Sequence, residues 1–256
     1  RDNVDIPKEK MDLIAGFSHE AINYMLGGTF RESYVPLNDN IINGRIKGVV
    51  GVVGCCNPKV THDLGHVSLV EELIANDILV VQTGCSAIAC AKAGFLTPES
   101  AYKYAGKGLT EVCAAVGMPP VLHSGSCVDN SRILIALSEM VKIGGLGKDI
   151  SDLPVAGAAP EWMSEKAISI GHYFVSSGVF TVFGVGLPVS GSEIFCHHIF
   201  DEFESLFGGK WAAEPDISKM AGLIIDHINK KRKKLGISKG KERVLYDMEM
   251  RRELEV

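Results

Sequence analysis

The stretch that decides the fold is Gly48-Val49-Val50-Gly51-Val52-Val53-Gly54-Cys55. It is β-branched and uncharged, with no polar residue breaking it before the cysteine. A strand that alternated between a core face and a wet face would show polar residues at every second position. A continuous apolar run instead predicts a strand buried on both faces, as in a parallel sheet. Outward from it, residues 77–82, 120–123, 153–157 and 179–183 read as further strands, and 12–17 reads as one more. Amphipathic stretches separate them: 18–26, 36–44, 67–75, 86–93, a helix opening at Thr97-Pro98-Glu99, then 130–142, 161–176 and 216–234. Ser18 is placed to cap the first of these, and Pro98 stands in a first-turn position. This alternation with short loops predicts an α/β fold, a Rossmann-like parallel sheet with helices on both faces. Residues 1–256 read as a single α/β domain with 238–256 as a C-terminal tail.

Composition excludes several functions. The chain has 256 residues, 31 acidic against 26 basic, for a formal charge of -5. That balance argues against nucleic-acid binding through phosphate neutralisation. At 46% hydrophobic residues the chain has the apolar content to fold rather than stay disordered. No apolar run is long enough to span a bilayer. The residues from Arg1 to Pro7 lack the apolar core of a secretory signal, and seven cysteines are an odd count at low density. A reducing cytoplasm is therefore the expected compartment. The run Lys230-Lys231-Arg232-Lys233-Lys234 reads as solvated cations at a helix C-terminus, where the helix dipole favours them.

Three cysteines share one kind of position. Cys55, Cys85 and Cys127 each stand one or two residues after a glycine and just past a predicted strand. Their separations, 85 − 55 = 30 and 127 − 85 = 42 residues, match no local metal-binding loop. In an open parallel sheet, however, all strand C-terminal ends lie on one edge, where ligands bind. A glycine lets the backbone turn tightly there and lets bulky atoms approach. A single buried cysteine is ordinarily a small hydrophobe. Three in equivalent loops point to a shared inorganic centre, and soft sulfur donors suit iron–sulfur clusters, zinc, copper(I) or nickel. Cys90 and Cys113, on helices among alanines, read as core residues, and Cys196 has no such placement. His197-His198 reads as a surface or capping pair. His62 and His66 are four residues apart on a predicted helix, a spacing able to bind metal. His123 and Asp129 flank Cys127 as supporting groups. In Pro160-Glu161-Trp162-Met163-Ser164-Glu165-Lys166-Ala167, Ser164 or Glu161 is expected to cap the helix. That puts Lys166 in the first turn, against the helix dipole, where a cation is either solvated or used. The glycine-rich segments 144–147 and 184–186 lack the dinucleotide-binding spacing.

Four ordered motifs resemble the nickel–iron carbon monoxide dehydrogenase catalytic subunits. They are Gly-Val-Val-Gly-Cys-Cys-Asn-Pro-Lys-Val at 51–60, Thr-Gly-Cys-Ser-Ala-Ile-Ala-Cys-Ala-Lys-Ala-Gly at 83–94, Gly-Ser-Cys-Val-Asp-Asn-Ser-Arg at 125–132 and Pro-Glu-Trp-Met-Ser-Glu-Lys-Ala at 160–167. The resemblance runs from Asp5 to Ile237. It implies a nickel–iron–sulfur cluster that interconverts CO and water with CO2, two protons and two electrons. Carried over residue by residue, it makes Cys55, Cys85 and Cys127 cluster ligands. Lys166 becomes the group that meets metal-bound CO2, and Ile170, four residues on, lies near the gas-binding position. Where the family usually has Asn, this chain has Cys56. The family's other ligands, and the cysteines of its 4Fe-4S relay clusters, lie in upstream domains. The chain thus resembles the C-terminal portion of such a subunit and is expected to need an upstream partner. A homodimer of the assembled subunit, a ferredoxin-like electron carrier and acetyl-CoA synthase are the further partners implied. Two other readings remain open. One is a hybrid-cluster protein reducing hydroxylamine-type substrates, which also has strand-end cysteines and a Ser-Glu-Lys segment. The other is a cluster-free docking module of an acetyl-CoA synthase complex.

Overall fold

The computed structural model describes residues 8, 10–26 and 33–253. Five expected strands form: β1 (Gly48–Val52), β2 (Ile78–Thr83), β3 (Val121–Gly125), β4 (Val155–Ala159) and β5 (Phe180–Phe183). A sixth, β6 (Trp211–Ala213), was too short to stand out in sequence. They make one sheet in the order β3-β2-β1-β4-β5-β6, and every pairing is parallel. Every residue of β1, β2, β4 and β5 is buried, so both faces of the central sheet are covered, as the unbroken apolar runs required. Val50, Val52 and Val80 are fully shielded, and each such side chain contributes about 1.5–3 kcal/mol by leaving water.

The helices are α1 (His19–Leu26), α2 (Val35–Asn43), α3 (Leu64–Ala75), α4 (Gly84–Lys92), α5 (Glu99–Tyr104), α6 (Lys107–Val116), α7 (Asn130–Ile143), α8 (Glu165–Ser176), α9 (Glu193–His197), α10 (Phe203–Phe207), α11 (Ile217–Lys234) and α12 (Met248–Glu253). Helix α3 packs on α11 and β2, while α7 packs on α1 and α2. Ser18 does cap α1, its hydroxyl accepting from the Ala21 amide at 3.3 Å. Asp216 caps α11 through the Lys219 amide. None of these helices is long and apolar enough to cross a membrane.

Four local expectations are corrected. Residues 12–17 form no strand. The Ile14 amide donates to Leu96 O, while the Gly16 and Phe17 amides donate to His123 O. The segment thus docks on two places rather than extending a ladder. Helix α8 begins at Glu165, not 161, because Pro160–Ser164 is a packed turn. Helix α3 begins at Leu64, so His62 lies outside it and does not share a helical face with His66. The basic run is not wholly solvated, because Arg232 is only 2% exposed. One guanidinium nitrogen donates to the carbonyls of Ile41 and Lys47 at 2.8 and 3.1 Å, and the other to Ile237 O at 2.8 Å. Inward-facing α11 positions are dictated by the helix's phase against the sheet, and residue 232 falls on that phase with Ile224 and Ile228.

Candidate metal centre

The strand order reverses between β1 and β4: the chain steps one way through β2 and β3 and the other way through β5 and β6. At such a switch point the two outgoing loops diverge and leave a crevice outside the strand carboxyl ends. Cys55 follows β1 on one side of that crevice. The turn leading to Lys166 follows β4 on the other.

The three predicted thiols all lie on this edge. Cys55 is buried, Cys127 is half-buried at the start of a short 3-10 turn after β3, and Cys85 is exposed in the first turn of α4. Gly84 sits among them with φ +62, a conformation that disfavours any side chain. A Cβ added there would stand 2.6 Å from Cys127 Sγ and 3.7 Å from Gly54 O. The ends of β1, β2 and β3 therefore converge at a place that only hydrogen leaves open. The Cys127 thiol registers the same convergence. Burial pushes its pKa up, Lys166 pulls it down, and Cys55 and Cys85 push it up again. The Cys127 loop is fastened by Asp129, whose carboxylate accepts from the Ser126 amide at 2.8 Å and from Arg132 at 3.2 Å. His123 Nδ1 accepts from the Gly125 amide at 3.0 Å. The supporting roles expected for Asp129 and His123 are thus structural and local.

Cys55, Cys127, Lys166 and Ile170 line one small apolar cavity, with Gly157 and Phe183 beneath them. Lys166 is exposed and Ile170 half-buried on the same side of α8. The expected cap is absent: Ser164 occupies the cap position without a side-chain hydrogen bond. Glu161 is buried and accepts instead from the Gly65 amide at 2.8 Å. Trp162 anchors the turn, its indole N–H donating to Val185 O at 2.7 Å, while Asn57 Nδ2 donates to Trp162 O at 3.1 Å. The loop carrying Cys55 and the turn delivering Lys166 are therefore tied directly to each other.

Cys85 opens on a neighbouring groove shared with Cys56, His62, Asp63 and Lys92. There the Cys56 thiol donates to Asp63 Oδ1 at 3.2 Å, and Lys92 pairs with the other carboxylate oxygen. Burial, then the bond to Asp63, pushes the Cys56 thiol up to about 12. The vicinal cysteines thus face different spaces. The remaining thiols behave as expected: Cys90 and Cys113 are buried, each pushed up to about 12 by burial. His197 and His198 pair with Asp201 and Glu202 on the surface.

The donor set suits an iron–sulfur centre. It offers three soft sulfurs on separate loops that meet where Gly84 carries no side chain. Sequence reasoning singled out His66 for metal binding with His62, and Glu161 as a helix cap, but did not foresee that the two are buried together with Cys56 beside this edge. The one available signal was a glutamate embedded in the apolar run from Ala158 to Trp162.

Comparison with known proteins places the sequence and the fold in one family. Residues 3–218 match the Prismane/CO dehydrogenase family. Carbon monoxide dehydrogenase 1 of Methanosarcina mazei is 56% identical over 237 residues, which is 93% of this chain and 37% of that protein. The carbon monoxide dehydrogenase/acetyl-CoA synthase subunit beta of Moorella thermoacetica is 37% identical over 92% of this chain and 36% of its own length. Among solved structures, a nickel-free carbon monoxide dehydrogenase from Thermococcus sp. AM4 superposes with a TM-score of 0.86 at 54% identity, covering 92% of this chain and 36% of that one. The chain thus spans little more than a third of the length of these relatives. By motif, fold and sequence, the chain belongs to the Prismane/CO dehydrogenase family.

Proposed function

We propose that this chain supplies one wall of the nickel–iron–sulfur site of a carbon monoxide dehydrogenase, which interconverts CO and water with CO2, protons and electrons. The observation that carries the reading is the meeting of the β1, β2 and β3 ends at Gly84, with Lys166 and Ile170 closing the cavity next to Cys55 and Cys127. In this reading Cys55, Cys85 and Cys127 are the metal ligands, as thiolates. The bound cluster supplies the two-electron chemistry and the site at which the small gas molecule is held. Lys166 brings a mobile cation to the mouth of the cavity, where it donates a hydrogen bond to a CO2 oxygen as negative charge develops there. A cationic donor in a water-poor site contributes on the order of a hundredfold in rate. Ile170, one turn on, keeps that wall apolar and water out. Gly54 and Gly84 keep the loops close enough for all three sulfurs to reach one body.

The rest of the ligand cage comes from elsewhere in the assembled enzyme, as does the electron path through 4Fe-4S clusters to a ferredoxin-like carrier in the cytoplasm. A homodimer and docking to an acetyl-CoA synthase belong to the same proposal. The test is anaerobic assembly of the complete enzyme with Cys85→Ala or Cys127→Ala in this portion, followed by iron and nickel analysis and a CO-dependent dye-reduction assay. Loss of both nickel and CO oxidation supports the reading. Full nickel content with wild-type turnover removes the substituted residue from the site.

A further inference from the structure

One thiol on the outer groove is surrounded by more donors than the three-thiol reading uses. The ligand atoms of Cys56, His66 and Glu161 all lie within 4.8 Å of one another, and His62 and Asp63 approach the same sulfur from the exposed side. The buried pair is chemically unfinished. His66 is 0% exposed and Glu161 1% exposed, yet His66 Nδ1 and Glu161 Oε2 have no hydrogen-bond partner.

The tautomer follows from the contacts. His66 Nε2 lies 2.8 Å from Cys55 O. A carbonyl only accepts, so Nε2 carries the proton and Nδ1 is left with a bare lone pair. An imidazole that donates one N–H to a backbone carbonyl and offers its other nitrogen is the arrangement usual for metal-bound histidine. Glu161 is held in place by its other oxygen on the Gly65 amide, and a Cβ at Gly65 would meet that oxygen at 3.0 Å. The glycine is what admits the carboxylate so deep. A buried carboxyl oxygen left without a partner is costly, and a cation beside it removes the cost.

We propose that Cys56, His66 and Glu161 bind a single divalent cation of the zinc type. Binding replaces the thiol proton, which leaves to solvent through the groove, with metal. Thiolate, carboxylate and neutral imidazole then balance the two positive charges. The fourth position falls to Asp63, whose Oδ1 already lies 3.2 Å from Cys56 Sγ, or to water. Tetrahedral zinc sets such donors roughly 3.3–3.8 Å apart, so the three side chains, whose ligand atoms lie within 4.8 Å of one another, draw in on binding. Cys56 makes this possible, since asparagine offers no thiolate.

The test uses the 256-residue chain with Cys55→Ser, Cys85→Ser and Cys127→Ser, so that the strand-end thiols do not compete. Cobalt(II) is the optical probe and zinc the competitor. Expected is one ion per chain with a sulfur-to-cobalt charge-transfer band that zinc abolishes. Cys56→Asn should remove the band, and Glu161→Gln should weaken zinc binding on the order of 100-fold with an unchanged circular dichroism spectrum. Zinc-edge X-ray absorption should show one sulfur and otherwise nitrogen and oxygen neighbours. If Cys56→Asn fails to fold, that absorption spectrum and Glu161→Gln decide. No band, a sulfur-free shell, a band unchanged in Cys56→Asn, or unweakened zinc binding in Glu161→Gln overturns the proposal. Because Cys55, Cys85 and Cys127 are absent throughout, the outcome is independent of CO chemistry.

Discussion

The two halves of the sheet divide the labour at its active edge. On one side of the switch point, the loops after β1, β2 and β3 bring thiols, with His62, Asp63 and Lys92 in the groove beside them. On the other side, the loop after β4 brings a cation and an apolar helix face, backed by aromatic packing. Trp162 meets Phe183 edge-on at 6.0 Å, and Phe183 stacks on Trp211 at 5.1 Å. The contrast extends into the strands. β2 reads Ile-Leu-Val-Val-Gln-Thr, whereas β4 reads Val-Ala-Gly-Ala-Ala. Small side chains in β4 leave room for the cavity below Lys166, and Gly157 lines it. The strand-end thiols are supplied by one half and the shape of the cavity by the other, so damage to each should read out differently.

The largest expected effect is on the donor half. Cys127→Ala should abolish cluster loading and CO oxidation together in the assembled enzyme, seen as lost iron and nickel. Retained metal with lost turnover would break the division of roles. An effect of about 3 kcal/mol is expected far from either, at His227, which stacks on Phe180 at 4.6 Å. Burial, then Lys231 and Lys230, pulls its pKa down to about 4. Unfolded histidine titrates near 6.5, so the unfolded chain takes up its proton first. Stability from this group is complete above about pH 6.5 and is lost as pH falls towards 4. Denaturant melts across that range should show the slope, and His227→Phe should flatten it.

On the shape half, Lys166→Ala should cost about 100-fold in turnover while iron and nickel stay at wild-type levels. Equal losses of metal and rate would make Lys166 a scaffold residue. The smallest effect tests the convergence itself. Gly84→Ala imposes a side chain at φ +62 against Cys127 Sγ, costing about 1–3 kcal/mol of stability. It should also lower iron content in proportion.

Much of this was legible from the chain alone, for identifiable reasons. Buried parallel strands write themselves as uninterrupted runs, so β1, β2 and β5 were readable, and strand-end cysteines followed from where such strands stop. What was illegible depends on partners distant in sequence. Residues 12–17 have strand-like composition but spend their amides on Leu96 O and on the single carbonyl of His123 instead of a ladder. Glu161 looked like a helix cap because the sequence cannot show Gly65 reaching it from 96 residues away. β6 has three residues, too few for any period.

Arg232 has one more consequence. It is the knot where the end of α2, the lead into β1 and the stretch after α11 are drawn together, at the opposite rim from the thiols. A lysine there would keep the charge but lack the forked head needed to serve carbonyls of Ile41, Lys47 and Ile237 at once. The sheet is thus cinched at its back by one guanidinium, so the positions of the strand-end loops at the front do not depend on it.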